Sequence, residues 1–178
     1  MGVEKGSKTE KNLLAAFAGE SQARNKYTYF AKIASKEGYH YIAKMFEESA
    51  MNEMQHAKDE FTLLGGIGDT KTNLKEAIDG ETHETMEMYP NFAKDAEEEG
   101  NADAARLFRQ VAKIERQHAE RYKKLLAMVE NGTVYKRETP IKWKCSICGY
   151  MHEGVEPPPK CPACQNPKEY YEPDCLSF

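Results

Sequence analysis

Apolar residues recur at helical spacing from near residue 9 to about residue 130, and the pattern then stops. Four amphipathic helices account for it. The first is expected from Ser7 or Thr9 to Glu37, with Thr9 as its cap and Gly38 as its end. The second runs from about Tyr39 to Leu64, where Gly65-Gly66-Ile67-Gly68 breaks it. The third begins near Thr72 and ends at Gly100. The fourth spans Ala102 to Glu130, closed by Asn131-Gly132. Either a short loop or a long crossover can join helices two and three, and residues 65–76 are long enough for both. Val134 to Lys142, polar and containing Pro140, reads as a linker. From Trp143 onward prolines, aromatics and cysteines replace the helical pattern. That tail is too short for a large core and calls for a metal staple.

The helices are written twice. Glu53-Met54-Gln55-His56-Ala57 recurs 62 residues later as Glu115-Arg116-Gln117-His118-Ala119. Ala31-Lys32, Glu37-Gly38, Phe46 and Leu63-Leu64 find partners at the same offset. Before that stretch the offset is 61, so that Gly19-Glu20 matches Gly80-Glu81. The second copy therefore carries one extra residue between Glu81 and Tyr89. A period this long means a duplicated helical hairpin, because a solenoid needs three or more copies.

Each hairpin thus offers a carboxylate on one helix and Glu-x-x-His on the next. That is how a four-helix bundle holds two metal ions. Glu20, Glu53, Glu84 and Glu115 lie 15 to 18 residues from the Gly38 or Gly100 turns. At 1.5 Å rise per residue this is about 22–27 Å, so the carboxylates reach one level. The donor inventory is Glu20, Glu53, His56, Glu81, Glu84, Glu115 and His118. Glu and His three apart share a helix face and reach one centre. Imidazole with carboxylate suits iron, manganese or zinc, whereas calcium and magnesium prefer oxygen alone. Five carboxylates against two divalent ions leave a charge near balance, which lets buried acids be tolerated.

The copies differ at Glu84, one turn after Glu81, where the first copy has Ala23. A spare ligand permits exchange at one metal as its charge changes. The extra residue beside Pro90 predicts a π-bulge or kink between Glu81 and Phe92. Tyr27 and Tyr89 hold matched places and either hydrogen-bond ligand carboxylates or pack as core tyrosines. Methionines 45, 51, 54, 86, 88 and 128 read as core filler. His40, His83 and His152 have no repeat partner and read as surface or structural residues.

Cys145-Ser146-Ile147-Cys148 and Cys161-Pro162-Ala163-Cys164 are two metal knuckles, with 12 residues between them. Four thiolates hold zinc or iron, and spacing leaves the two open. Cys175 is left over as a solvent-facing thiol. Paired cysteines of this kind fit a reducing compartment better than disulfides. The net charge of −4 gives no electrostatic ground for nucleic acid or a membrane surface. The polar start, Met1 to Lys11, has no signal core, and no apolar run approaches about 18 residues. A cytoplasmic protein is expected.

Ala18-Gly19-Glu20-Ser21-Gln22-Ala23-Arg24, the two Glu-x-x-His motifs, Gly80-Glu81-Thr82-His83-Glu84, Met88-Tyr89-Pro90 and Trp143-Lys144-Cys145 together resemble the rubrerythrin family over nearly the whole chain. The resemblance implies a mainly α fold. A ferritin-like four-helix bundle over residues 1–138 precedes a small rubredoxin-like, metal-stapled domain over 139–178. It implies two iron ions on Glu20, Glu53, Glu81, Glu84, Glu115 and His118, with His56 trading places with Glu84 as oxidation state changes. It implies one further iron on the four cysteines, with zinc as a possible substitute. The implied activity is reduction of hydrogen peroxide, two ferrous ions together supplying both electrons. Electrons arrive from rubredoxin or an NADH-linked reductase through the tetrathiolate iron. His118 to Asn131 alone is about 20 Å of helix, which suits a head-to-tail homodimer. A ferritin-like iron oxidase or store and a plain electron carrier are the rival functions. One departure is Gln165, where a rubredoxin knuckle usually has glycine; it is expected to alter a hydrogen bond to sulfur and tune the potential.

Overall fold

A computed structural model describes residues 2–174, and Cys175 lies outside them. Of the described residues, those up to Asp69 form one compact unit and those from Thr70 onward another. The sequence-expected border near residue 138 falls inside the second unit, between its helices and its sheet. The fold is mainly α, with four long helices followed by a small antiparallel sheet.

In the first unit α1 (Lys8–Lys36) packs along α2 (His40–Leu63). Ser7 caps α1 by accepting from the Glu10 N–H at 3.1 Å, so the helix starts earlier than a Thr9 cap would place it. In the second unit α3 (Thr70–His83) runs into a π-turn (Glu84–Met88) and then α4 (Tyr89–Glu98). Both segments and the π-turn pack along α5 (Ala102–Glu130). Left-handed Gly38 and Gly100 end α1 and α4 in the same way. Tyr39 N–H reaches Ala34 O, and Asn101 N–H reaches Ala96 O, each at 2.8 Å. The repeat in the sequence is thus a repeat in backbone geometry.

The helices meet through small residues. Ala31, Ala34, Ala43, Ala50 and Ala57 are buried in one unit, and Ala93, Ala96, Ala105 and Ala119 in the other. Two helices alone enclose only what lies in their seam, so larger side chains stay on the outside. Met45, Met51, Met54 and Met86 are accordingly exposed, against the expectation that they fill a core. Tyr27, Phe30 and Phe46 form an aromatic group on the first hairpin. Tyr89, Phe92 and Phe108 form its counterpart on the second.

The π-turn absorbs the extra residue. Thr85, within it, is buried and donates to Ala112 O at 3.4 Å, which ties the turn to α5. Pro90 follows in the first turn of α4, where a missing N–H does little harm. The predicted distortion between Glu81 and Phe92 is present.

The tail holds three antiparallel strands in the order β2–β1–β3: β1 Ile141–Cys145, β2 Met151–Gly154 and β3 Tyr171–Pro173. Ile141 and Lys142, assigned to the linker by composition, already pair with Gly154 and Glu153. Trp143, Cys145, Cys161 and Tyr171 make the core, and Trp143 Nε1 donates to Gly154 O at 2.9 Å. Arg137 lies over the Trp143 ring at 5.1 Å, a cation–π contact.

Deleting Met86 is expected to convert the π-turn to continuous α-helix and rotate Glu81 by about 100° against α4. Bound metal per chain should fall while far-UV helicity is kept. Undiminished metal binding by elemental analysis would show that the π-turn does not set the donor geometry.

Candidate metal centres

The helical donors gather into two triads, one per hairpin. Ligand atoms of Glu20, Glu53 and His56 lie within 4.8 Å of one another, and so do those of Glu81, Glu115 and His118. In each triad the Glu-x-x-His spacing sets the tightest contact. His56 Nδ1 is 2.9 Å from Glu53 Oε2, and His118 Nδ1 is 2.7 Å from Glu115 Oε2. The carboxylate from the other helix completes the group, Glu20 at 3.9 Å from His56 and Glu81 at 3.6 Å from His118. Donors around one ion with bonds near 2.0–2.2 Å stand up to about 4.4 Å apart. Each triad therefore fits a metal ion with little movement.

The triads are not equal. The His56 side chain is 57% exposed and that of His118 33%. Glu84, at the start of the π-turn, stands outside the compact second triad, and its charge still acts on Glu81. The first hairpin has an acid that the sequence pattern did not single out. Glu60 Oε2 is buried with no hydrogen-bond partner among the described residues, and its charge acts on Glu20. Its spacing, seven residues after Glu53 on the same helix face, was the available signal.

Like charges at this range raise carboxyl pKa values. A hydrogen bond with Glu53, then burial and the Glu53 charge, pushes Glu20 above the ordinary 4.5, with His56 opposing. Burial, then a hydrogen bond and charge from Glu115, does the same to Glu81, with His118 opposing. In each triad the neighbouring carboxylate thus makes proton loss harder at the place where a metal ion fits. Tyr27 packs 6.0 Å from Phe46 and Tyr89 packs 6.1 Å from Phe108. Burial, followed by the charges of Glu84, Glu115 and Glu81, raises the Tyr89 phenol above its ordinary value. Tyr89 is therefore an acid-side neighbour as well as a packed ring.

The four cysteines converge at the end of the sheet. Cys145 Sγ lies 3.7 Å from Cys164 Sγ, and Cys148 Sγ lies 3.6 Å from Cys161 Sγ. A tetrahedron with metal–sulfur bonds of about 2.3 Å has edges of about 3.8 Å. The thiols are thus preset for one tetrathiolate metal. Burial works against the Cys161 thiolate, yet Tyr171 and the Cys164 and Ala163 N–H groups bring its pKa down to about 6. Asn166, through its side chain first and its backbone second, holds Cys164 below the ordinary range. Gln165 Nε2 donates to Cys161 O and Pro162 O, both at 3.3 Å, whereas Asn166 Nδ2 donates to Cys164 Sγ at 3.3 Å, so the expectation that Gln165 alters a bond to sulfur is corrected. Cys148 is pushed up to about 12: a backbone bond from Tyr150 lowers it, but burial and the other three cysteines prevail.

Protons and metal compete for the triads. The affinity for a divalent ion should fall as pH drops through a window that begins above 4.5, and binding within that window should release protons. Titration calorimetry in two buffers of different ionisation heat reads that release directly; identical heats in both buffers would contradict the shared-proton geometry.

Residues 11–126 match the family described as Rubrerythrin, and residues 143–172 match its rubredoxin-like domain. The chain is 50% identical to rubrerythrin of Porphyromonas gingivalis over 182 residues, covering 95% of this chain and 91% of that one. It is 45% identical to rubrerythrin of Nitratidesulfovibrio vulgaris, with 94% and 95% covered. A solved structure of nigerythrin in a partially reduced state shares 35% identity over 97% of this chain and 92% of its own, with a TM-score of 0.37. Glu/His triads and a four-cysteine cluster are donor sets of the kinds that suit di-iron carboxylate and iron–tetrathiolate centres, and the chain belongs to the rubrerythrin family.

Proposed function

We propose that the protein is a non-haem di-iron peroxidase that reduces hydrogen peroxide to water, with electrons relayed through the tetrathiolate iron from rubredoxin or an NADH-linked reductase. Family membership makes it a di-iron protein of oxidative-stress defence. The finer assignment is supported above all by one observation: the same chain carries two Glu/His triads and a preset four-sulfur cage. Hydrogen peroxide takes two electrons and two protons to give two waters. Bound iron would supply these electrons, two at the Glu/His donors and one at a time at the four cysteines.

The chain's own residues divide the remaining work. Glu20, Glu53, Glu81, Glu115 and His118 are the fixed donors, held by helix spacing. Glu84 and His56 are the exchanging pair. The π-turn keeps Glu84 off the compact triad, and His56 is the more exposed imidazole. The Glu84 carboxylate would accept a proton and return it to substrate oxygen. Tyr89 keeps its phenolic proton because burial and nearby acids disfavour its loss, so it can donate a hydrogen bond to the same oxygen. Tyr27 has the matching place on the first hairpin. Zinc would fit the same donors but would not carry electrons.

Residues 1–138 would act as the peroxidase bundle and 139–178 as the electron-entry domain. A head-to-tail homodimer would bring one subunit's electron-entry domain to the other's iron pair. Large apolar groups exposed on both hairpins, among them Phe30 and Phe92, support association. The four described cysteines are free thiols, which supports a reducing cytoplasm. Among the described residues no helix is long and apolar enough to cross a membrane.

Cys161→Ser is expected to abolish NADH-coupled peroxide turnover while a single oxidation of the pre-reduced bundle survives, read by stopped-flow absorbance. Persistent turnover would remove the relay. Much faster oxidation of the reduced protein by O2 than by peroxide would favour an iron oxidase or store instead.

A further inference from the structure

Composition marks Val134 to Lys142 as a linker, yet the structure straps its first part down. Gly132, left-handed at φ 66°, lets Thr133 N–H donate to Met128 O at 2.8 Å, so Thr133 belongs to the closing turn of α5. Thr133 O then accepts from two later groups, Lys136 N–H at 3.1 Å and Arg137 Nη1 at 3.0 Å. The same Nη1 donates to Val134 O at 3.3 Å and to Lys136 O at 2.7 Å. A guanidinium just past a helix C-terminus also meets the negative end of the helix dipole.

Arg137 also grips the sheet. Its backbone N–H donates to Val155 O at 2.8 Å, and its guanidinium lies 5.1 Å from the centre of the Trp143 ring. Trp143 in turn donates to Gly154 O, so one arginine touches both β1 and the chain just past β2. Its two neighbours act the same way. Tyr135 packs against the core of Trp143, Cys145, Cys161 and Tyr171, and its hydroxyl donates to Glu169 O at 3.1 Å. Lys136 Nζ stands 3.2 Å from Glu156 Oε1. Arg137 is half-buried, and only residues 138–140 of the strap are exposed as a run. A flexible tether of this length, without those bonds, would spread over an end-to-end distance of about 15 Å.

We propose that Arg137 is a positioning residue for electron transfer: it locks the four-cysteine domain to the end of α5 and so fixes where the cage presents its iron to the iron pair. The inference rests on the relay proposed above. In that relay one electron leaves the tetrathiolate iron, which goes from ferrous to ferric. One bundle iron takes it and goes from ferric to ferrous, and no bond forms or breaks. Transfer through protein falls steeply with distance. A domain on a loose tether spends most of its time out of range, whereas a strapped domain starts each transfer already oriented. Arg137 suits the task because a planar fork can hold several carbonyls and a ring face together.

The test uses the full-length, iron-loaded protein with two substitutions that keep its charge, Arg137→Lys and Tyr135→Phe, alone and combined. Lysine retains a cation near Trp143 but loses the fork, and phenylalanine loses only the bond to Glu169 O. The visible bands and the potential of the tetrathiolate iron should stay as in the wild type, and so should the rate at which peroxide oxidises the pre-reduced bundle. Amide hydrogen exchange over residues 133–140 should rise in each variant. Stopped-flow reoxidation of the ferrous tetrathiolate after peroxide should slow by about tenfold in the combined variant and by less in each single one. Faster exchange with an unchanged reoxidation rate would overturn the positioning role, and unchanged exchange in the combined variant would overturn the lock. A wild-type tetrathiolate iron that peroxide never reoxidises through the bundle would instead remove the relay itself.

Discussion

Like charge held at close range is the constraint on which the helical part depends. Glu20 with Glu53, and Glu81 with Glu115, share sites with ligand atoms inside 4.8 Å. Two carboxylates at that range raise each other's pKa, so a shared proton or a metal ion is favoured there. The histidines, three residues on, provide partial relief and a nitrogen donor. Buried alanines such as Ala31, Ala43, Ala93 and Ala105 let the backbones approach closely, which brings the carboxylates of facing helices together. Close packing and close charges are thus two results of the same small-residue seam.

The sheet domain resolves an opposite problem. It has few residues to bury, and Trp143, Cys145, Cys161 and Tyr171 supply nearly all of its core. Its sulfurs are preset at tetrahedral edge lengths by two nearly identical backbone loops, so the metal is part of the core and not an addition to it.

Duplication gave both hairpins the same triad, and the proposed exchange draws on the departures from it. The additional residue in the second copy appears as a π-turn, anchored by Thr85 to α5. It leaves Glu84 next to the triad without joining it. A carboxylate that is near but uncommitted is what the proposed ligand exchange would use. His56, more exposed than His118, is the corresponding loose donor on the first hairpin.

Much of this is legible from residue order because helix geometry is local. The i, i+3 spacing that joins Glu53 to His56 and Glu115 to His118 follows from 3.6 residues per turn, whatever the helix packs against. The Gly38 and Gly100 turns and the α5 limits are read in the same way, and a one-residue offset in the repeat was enough to locate the π-turn. Cysteine spacing likewise fixed which sulfurs act together. Tertiary structure decided what depends on side-chain aim across separate segments. Ser7 and not Thr9 caps α1. Met45, Met51, Met54 and Met86 stay outside because the buried positions of the helical seams are nearly all alanine. Glu60 is buried near Glu20, Glu84 stands apart from its triad, and the donor to Cys164 is Asn166 and not Gln165. Each of these turns on where a flexible side chain points once distant backbone is in place, and a one-dimensional pattern carries no such distance.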